Sequence, residues 1–347
     1  MTFHAIGLMS GTSLDGLDIC FVKFEKVHSW SFEIIKAETV SYSENLYNDL
    51  KHAIDLSAEK LLELNSAYGF FLGKTVKSFI EKHGLKNIDL IASHGHTVYH
   101  QPQKKFTLQI GDGRAIRLET GIPVVYDFRS QDVLMGGNGA PLVPIGDKLL
   151  FSEYHACLNL GGFSNISLQS EGRRIAFDIA PVNIVLNKLA QYLGKDFDEN
   201  GDLAKKGTIH ASLLSSLNSL EFYHQPHPKS LGIEWCNENI FPLFENVDHI
   251  DAIATFTEHT AHQIAKVINK NHLKNVLFTG GGTYNHYLIE KIRDKTQAEI
   301  IIPEKEIIDY KEALIFALMG ILRLNNEINV LASATGSPND HSSGIIA

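Results

Sequence analysis

Three short segments collect small residues with hydroxyls, amides and carboxylates at the ends of apolar runs: GTSLDGLD at 11–18, NLGGFSN at 159–165 and TGGGTYN at 279–285. Glycine lets backbone N–H groups approach an anion without a Cβ in the way, and Ser, Thr and Asn add donors. Phosphate or ribose binding is the chemistry such loops can do. The candidate contacts are Gly11, Thr12, Ser13, Asp15, Gly16 and Asp18 in the first loop and Asn159, Gly161, Gly162, Ser164 and Asn165 in the second. Gly280, Gly281, Gly282 and Asn285 are those of the third. Neither a G-x-x-x-x-G-K-[ST] phosphate loop nor a strand-borne G-x-G-x-x-G is present, which leaves a hairpin-loop clamp. In such a clamp an acidic residue holds Mg²⁺ through oxygen ligands, and Asp15 is the candidate, acting through water. The competing reading is an aspartate that bonds its own turn.

These loops need strands to carry them. The opening reads as a strand at 4–8, a small-residue turn and a second strand at 17–24, a hairpin with the first loop at its tip. Residues 44–54 and 58–82 carry apolar positions at helical spacing. A short strand at 89–93 precedes the polar cluster HGHTVYH, and another at 106–110 ends in GDG. Near residues 124–127 PVVYDFRSQD leads into the glycine-rich GGNGAPLVP of 136–144, a linker or a loop lining a cleft. From residue 155 the grammar repeats: strands at 156–160, 166–169 and 173–178, a helix over 248–271, the buried-strand run NVLFT and a helix from 287. An apolar helix spans 310–326, and 331–347 lacks a period and is expected to be loosely held. This interleaving predicts an α/β fold with two domains, 1–125, which the tail 327–347 can complete, and 126–326.

At 347 residues the chain exceeds what one core supports, so two domains are the default. A formal charge of −9 without a Lys/Arg run argues against nucleic acid or a polybasic membrane surface as partner, and favours a small molecule. Cys20, Cys157 and Cys236 are odd in number and unpaired in spacing, which points to a reducing compartment. With no signal-peptide apolar region and no apolar run of about 18 residues, the expected location is the cytoplasm.

The motifs GLMSGTSLDGLD, SHGHTVYHQP, LQIGDG, DFRSQDVLMGGNGAPLVP, LNLGGFSNIS, FDIAPVN and FTGGGTYN, with EALIFALMG, occur in this order over nearly the whole chain. Together they resemble the anhydro-N-acetylmuramic acid kinases. The resemblance implies the actin, sugar-kinase and heat-shock chaperone fold: two ribonuclease-H-like domains with a nucleotide cleft between them, using ATP and Mg²⁺. It also implies that the substrate is 1,6-anhydro-N-acetylmuramic acid, opened and phosphorylated to N-acetylmuramic acid 6-phosphate, and a possible homodimer.

Residue by residue, 11–18 match the family's ATP phosphate loop, and Asp178 in FDIAPVN falls where similar enzymes keep their catalytic aspartate. A water attacking the anomeric carbon must lose a proton, and one carboxylate within hydrogen-bond reach is the economical base. The bland alternative is an N-cap for the helix begun by PVNIVLNKLA. Arg129, Asp132 and Glu312 match positions expected near the sugar, and Asn138 lies in the neighbouring GGNGAPLVP. A guanidinium fork suits planar oxyanions, although Arg129 and Asp132 could equally form a surface ion pair. Glu312 could hydrogen-bond sugar hydroxyls or orient the water, or be an anion in a first helical turn. His94, His96 and His100 could supply half a metal site; the family usually carries Gln at the position of His96, which favours a hydrogen bond to sugar there. Glu258, His259 and His262 do not spell H-E-x-x-H.

The chain departs from the family's F-D-T-G-P-G-N pattern with its trailing acid: Ala180 and Val182 stand at glycine positions and Asn187 at the acid. If the glycines serve positive φ or close sugar approach, Val182 must rebuild the pocket. A kinase for a related anhydrosugar such as levoglucosan is therefore an alternative. So is a non-catalytic or chaperone-like ATP-binding module of the same fold.

Overall fold

The computed structural model describes residues 1–347 other than Thr12, so the expectation for that side chain lies outside the described residues. The chain divides into two compact units, Met1–Phe151 with Tyr310–Ala347, and Ser152–Asp309. This differs from boundaries at 125 and 326 for a physical reason. Strand Val124–Tyr126 pairs into the first sheet, Gly146 packs against Ile315, and Lys311 forms a buried ion pair with Asp147 at 2.7 Å.

In the first unit β1 (Thr2–Ser10) runs antiparallel to β2 (Leu17–Lys26), which runs antiparallel to β3 (Trp30–Val40). On its other side β1 pairs in parallel with β4 (Leu90–Gln101), which also pairs with β5 (Phe106–Ile110) and, in parallel, with β6 (Val124–Tyr126). Strand β4 runs straight through the HGHTVYH cluster that followed the expected short strand. The second unit repeats this plan. Strands β7 (Ala156–Leu160), β8 (Phe163–Ser170) and β9 (Arg173–Pro181) form an antiparallel meander, and β7 continues in parallel to β10 (Asn275–Thr279) and β11 (Glu299–Ile301). The orders β3-β2-β1-β4-β6 and β9-β8-β7-β10-β11 are the same, with the same directions. Two ribonuclease-H-like α/β units are the result.

Strand β1 is buried on both faces, so its sequence reads as an apolar run rather than an alternation. Ile6 and Leu8 meet Tyr68, Leu72, Val76 and Phe79 of helix Ala58–His83. The 4-4-3 spacing of those four residues keeps one helical face on the sheet. Ser57 caps this helix at its N-terminus and Gly84, at φ 61°, ends it. On the opposite face helix Lys305–Leu324 lies so close that a Cβ on Gly7 would fall inside the Ala313 carbonyl. In the second unit helix His249–Lys270, capped by Asp248, seats Ile253, Phe256, Ile264 and Ile268 in one core with Leu158, Val276 and Phe278.

The tail is not loosely held. Val330 bridges to His341, Ser343 is fully buried, and β12 (Ile345–Ile346) pairs antiparallel with β6. Val182 does not need a glycine conformation either. Its φ is −131°, and both it and Ala180 are fully buried in the second core. No helix among the described residues is long and apolar enough to cross a membrane.

Candidate active site

In the first unit the loop between β1 and β2 is fixed by its own backbone. Leu14 N–H reaches Gly11 O at 3.3 Å with Leu14 at φ 58°, and Gly16, at φ 149°, passes so near β3 that a Cβ would lie 2.8 Å from Val40 O. A side chain at 16 would therefore push the loop off the sheet. Ser13 Oγ donates to Asp15 Oδ1 at 3.0 Å and both residues are exposed. Asp18 sits differently, on β2 opposite Thr39, whose hydroxyl donates to its Oδ1 at 2.6 Å. Asp15 is thus the open carboxylate of this loop and Asp18 a half-buried one.

A second group in the same unit is built from β4, the segment after β6, and helix Lys305–Leu324. Arg129 Nε donates to His94 Nε2 at 2.9 Å, and its Nη1 donates to Gly139 O at 2.6 Å. Since His94 Nε2 accepts, its proton is on Nδ1, which donates to Gly95 O at 2.8 Å. Burial and the neighbouring guanidinium keep His94 neutral, well below the usual imidazole range. Burial also draws Arg129 down to about 10, against the pull of Glu312 and Asp132. Glu312 is open to solvent yet has protein on most sides. That surrounding protein pushes its carboxyl up, Arg129 and Lys311 draw it down, and Asp15 pushes it up. The structure thereby brings Asp15, Arg129 and Glu312 within electrostatic reach of one another. Because its helix begins at Lys305, Glu312 is not in a first turn.

Asp132 is placed otherwise than a sugar contact requires. Its side chain is fully buried, accepting from Gly139 N–H at 2.7 Å and from Thr335 Oγ1 at 2.8 Å, with His341 Nε2 at 3.6 Å. It forms no ion pair with Arg129 among the described residues. Its work is to anchor the 136–139 loop to the tail, so that Asn138 projects into solvent while its N–H donates to Thr335 O at 2.8 Å. His96 is nine-tenths buried, with Nδ1 3.0 Å from Ser10 Oγ, and burial lowers it to about 4. No cluster of three or more His, Cys, Asp or Glu that could hold a metal is found among the described residues.

In the second unit Asp178 is half-buried near the end of β9, cross-strand from Asn165. A bulge between Ser164 and Asn165 shifts the register there, and such bulges re-aim side chains. Leu231 N–H donates to Asp178 Oδ2 at 2.8 Å. Burial raises the carboxyl to about 6 and the Leu231 amide moderates the rise. The capping alternative fails, since helix Asn183–Tyr192 follows Val182 with no side-chain cap.

The two glycine loops of this unit adjoin each other: a Cβ on Gly280, at φ 84°, would strike the Asn159 side chain, and one on Gly282 would lie 2.8 Å from Leu160 Cβ. Gly281 has open space, and Gly162 and Asn165 are exposed. Gly161 and Gly162 carbonyls accept the N–H groups of Asn183 and Val182 at 3.3 and 2.8 Å. Two expected nucleotide contacts are instead structural. Ser164 is fully buried and exchanges hydrogen bonds with the backbone of Ala180, and Asn285 Oδ1 caps helix His286–Arg293 through Leu288 N–H at 3.0 Å. His259 is likewise internal, joined to Asn218 at 2.7 Å and Tyr223 at 2.9 Å.

The sequence reading missed the Leu231 amide, Thr335, the Ser10 hydroxyl that adjoins His96 and the Tyr42 hydroxyl that donates to Ser10. Each acts by tertiary proximity to a residue far off in sequence, so no spacing could have announced it.

The family model described as anhydro-N-acetylmuramic acid kinase matches residues 3–347. A protein of Francisella tularensis subsp. novicida bearing that name is 36% identical, covering 96% of this chain and 96% of its own. One of Clostridioides difficile is 33% identical over 97% of this chain and 96% of its own. The solved component A of Acidaminococcus fermentans (R)-2-hydroxyglutaryl-CoA dehydratase superposes with a TM-score of 0.49 at 14% identity, covering 92% of this chain and 97% of that one. By the whole-length family match and the relatives above 30% identity, the chain belongs to the anhydro-N-acetylmuramic acid kinase family.

Proposed function

We propose that this protein is a cytoplasmic ATP-dependent kinase that opens the 1,6-anhydro ring of 1,6-anhydro-N-acetylmuramic acid and yields N-acetylmuramic acid 6-phosphate. The carrying observation is Asp178: a half-buried carboxylate, raised to about 6, with one oxygen held by a backbone amide. A base with that affinity is ionised at neutral pH and still takes a proton readily.

In this reading Asp178 accepts the proton of a water whose oxygen bonds to the anomeric carbon. The bond from that carbon to O6 breaks and its electron pair remains on O6. That oxygen attacks the γ-phosphorus of ATP, and the bond to the β–γ bridging oxygen breaks to release ADP. Arg129 and Glu312 orient the sugar, the guanidinium toward the lactyl carboxylate and Glu312 toward a hydroxyl or the water. The 11–18 loop supplies donors to the phosphates, with Gly161, Gly162, Gly281 and Asn165 as the corresponding open positions of the second unit. Mg²⁺ fits Asp15: such an ion keeps much of its water and needs only one or two carboxylates beside phosphate oxygens, and Asp15 is exposed. When bound, Mg²⁺ would neutralise charge developing on the phosphoryl oxygens.

The test is formation of phosphorylated sugar from 1,6-anhydro-N-acetylmuramic acid and ATP, with Asp178→Asn as the control. Turnover should fall by roughly 10²–10⁴ in the variant, and an unchanged rate would remove Asp178 from the base role. Levoglucosan serves as the competing substrate. Ala180 and Val182 lie wholly in the core, so their substitution for glycine gives no reason to prefer it.

A further inference from the structure

Four side chains in the first unit form a continuous run of hydrogen bonds. Tyr68 Oη lies 2.9 Å from Tyr42 Oη, Tyr42 Oη donates to Ser10 Oγ at 2.7 Å, and Ser10 Oγ lies 3.0 Å from His96 Nδ1. Tyr68, Ser10 and His96 are buried and Tyr42 is half-buried. The directions follow from counting protons. Tyr42 has one hydroxyl proton and gives it to Ser10, so Tyr68 must donate to Tyr42. Ser10, having accepted from Tyr42, has its own proton to give, and both His96 Nδ1 at 3.0 Å and the Tyr68 hydroxyl, itself already donating to Tyr42, adjoin it. A neutral imidazole whose Nδ1 accepts carries its proton on Nε2. No protein partner of Nε2 is found among the described residues.

We propose that Tyr42 is a positioning residue which, through Ser10, holds His96 in the Nε2–H tautomer, so that His96 meets the substrate as a hydrogen-bond donor. The proposal deepens the reading above, since it takes the sugar as the group that His96 meets. Its basis is that Tyr42, by donating to Ser10, leaves the Ser10 proton to the remaining neighbours, of which an imidazole nitrogen is a stronger acceptor than a phenol oxygen. The contrast with His94 is instructive: two residues away on the same strand, its proton is on Nδ1 and its Nε2 is used by Arg129. In this reading the pair is held in opposite tautomers, His94 with its Nε2 taken by Arg129 and His96 with its Nε2–H left for the sugar. The low proton affinity of His96 agrees with a group that stays neutral while acting as a donor.

Two measurements on the full-length protein decide this. In ligand-free enzyme labelled with ¹⁵N-histidine, His96 should show a bare Nδ1 and a protonated Nε2, and the reverse pattern overturns the proposal. Kinetically, Tyr42→Phe should raise KM for the anhydrosugar roughly five-fold with kcat and the KM for ATP little changed, as befits one misaligned hydrogen bond. The same substitution should cost nothing further in a His96→Ala background. An equal cost in both backgrounds would mean a general packing effect and would overturn the coupling. Ser10→Ala, which deletes the middle link, should weaken the bare-Nδ1 pattern of His96 whatever its kinetics, and unaltered nitrogen shifts would overturn the role of the hydroxyl run. A parent enzyme inactive on the anhydrosugar would sink the substrate reading and the donor role with it, while the nitrogen shifts still report the tautomer on their own.

Discussion

Leu231 and Asp178 are joined by a single backbone hydrogen bond of 2.8 Å to Oδ2, which leaves Oδ1 without a hydrogen-bond partner among the described residues. A carboxylate tethered by one oxygen keeps its orientation and offers the other to water. Because burial raises this group to about 6, it is ionised at pH 7 and becomes protonated as pH falls through 6. The expected profile of kcat/KM is a plateau above that value and a decline of roughly tenfold per unit well below it. Rates between pH 4.5 and 8 check it, and a flat acid limb would rule out this base.

The same group bears on stability, with the opposite sign to a salt-bridged aspartate. Its folded-state affinity for a proton exceeds the unfolded one, so holding it ionised costs the native state above about pH 6, and the cost disappears as pH falls toward 4. Asp178→Asn retains an acceptor for Leu231 and removes the charge. It should therefore stabilise the protein at pH 7.5 by about 1–3 kcal/mol while lowering turnover by roughly 10²–10⁴. Denaturant unfolding at pH 7.5 and pH 4.5 checks this, and a destabilised variant at the higher pH would contradict it.

Arg129 uses two edges of its guanidinium at once, Nε on His94 and Nη1 on Gly139 O. A lysine ammonium cannot span both. Arg129→Lys should raise the KM for the sugar by roughly ten-fold or more and leave the buried His94 nitrogen short of a donor, at about 1–3 kcal/mol of stability. Steady-state kinetics with calorimetry separates the two effects.

Much of this was legible in sequence because both sheets are opened by hairpins whose tips are glycine-rich, a strong local signal. Asp178 and Glu312 are implied by the family resemblance; the apolar runs beside them do not by themselves single them out. What escaped was long-range. Strand β3 has no glycine-rich tip to mark it, although WSFEIIKAETV partly alternates. The tail looked aperiodic because its order comes from partners such as Phe128 O, which accepts from Ser343 Oγ at 2.8 Å. Asp132 is implied near the sugar by the resemblance alone, and its complete burial and its bonds to Gly139 and Thr335 are tertiary facts that no local pattern carries.

Thr335 tests that decision. Its hydroxyl donates to Asp132 Oδ1, and Thr335→Val keeps the shape while removing the donor from a buried carboxylate. The loss should be about 1.5–3 kcal/mol, since hydrogen bonds to charged groups are the strong ones. Thermal melts would show it, with ATP binding otherwise retained. An unchanged melting temperature would mean that Asp132 is satisfied without the tail.

Gly7 allows the close seating of helix Lys305–Leu324 that carries Glu312. Gly7→Ala forces a methyl into the Ala313 carbonyl and should destabilise by about 3 kcal/mol, through backbone displacement rather than a cavity. If the variant folds, its sugar KM should rise as well, because Glu312 moves with the helix.

Ala347 both donates to and accepts from Val124, at 2.8 and 3.2 Å. The sheet that begins with Thr2 therefore acquires these hydrogen bonds only after residue 347 has emerged from the ribosome. Residues 152–309, an unbroken stretch, can complete their own sheet earlier, so the half of the molecule translated first is the half that finishes last.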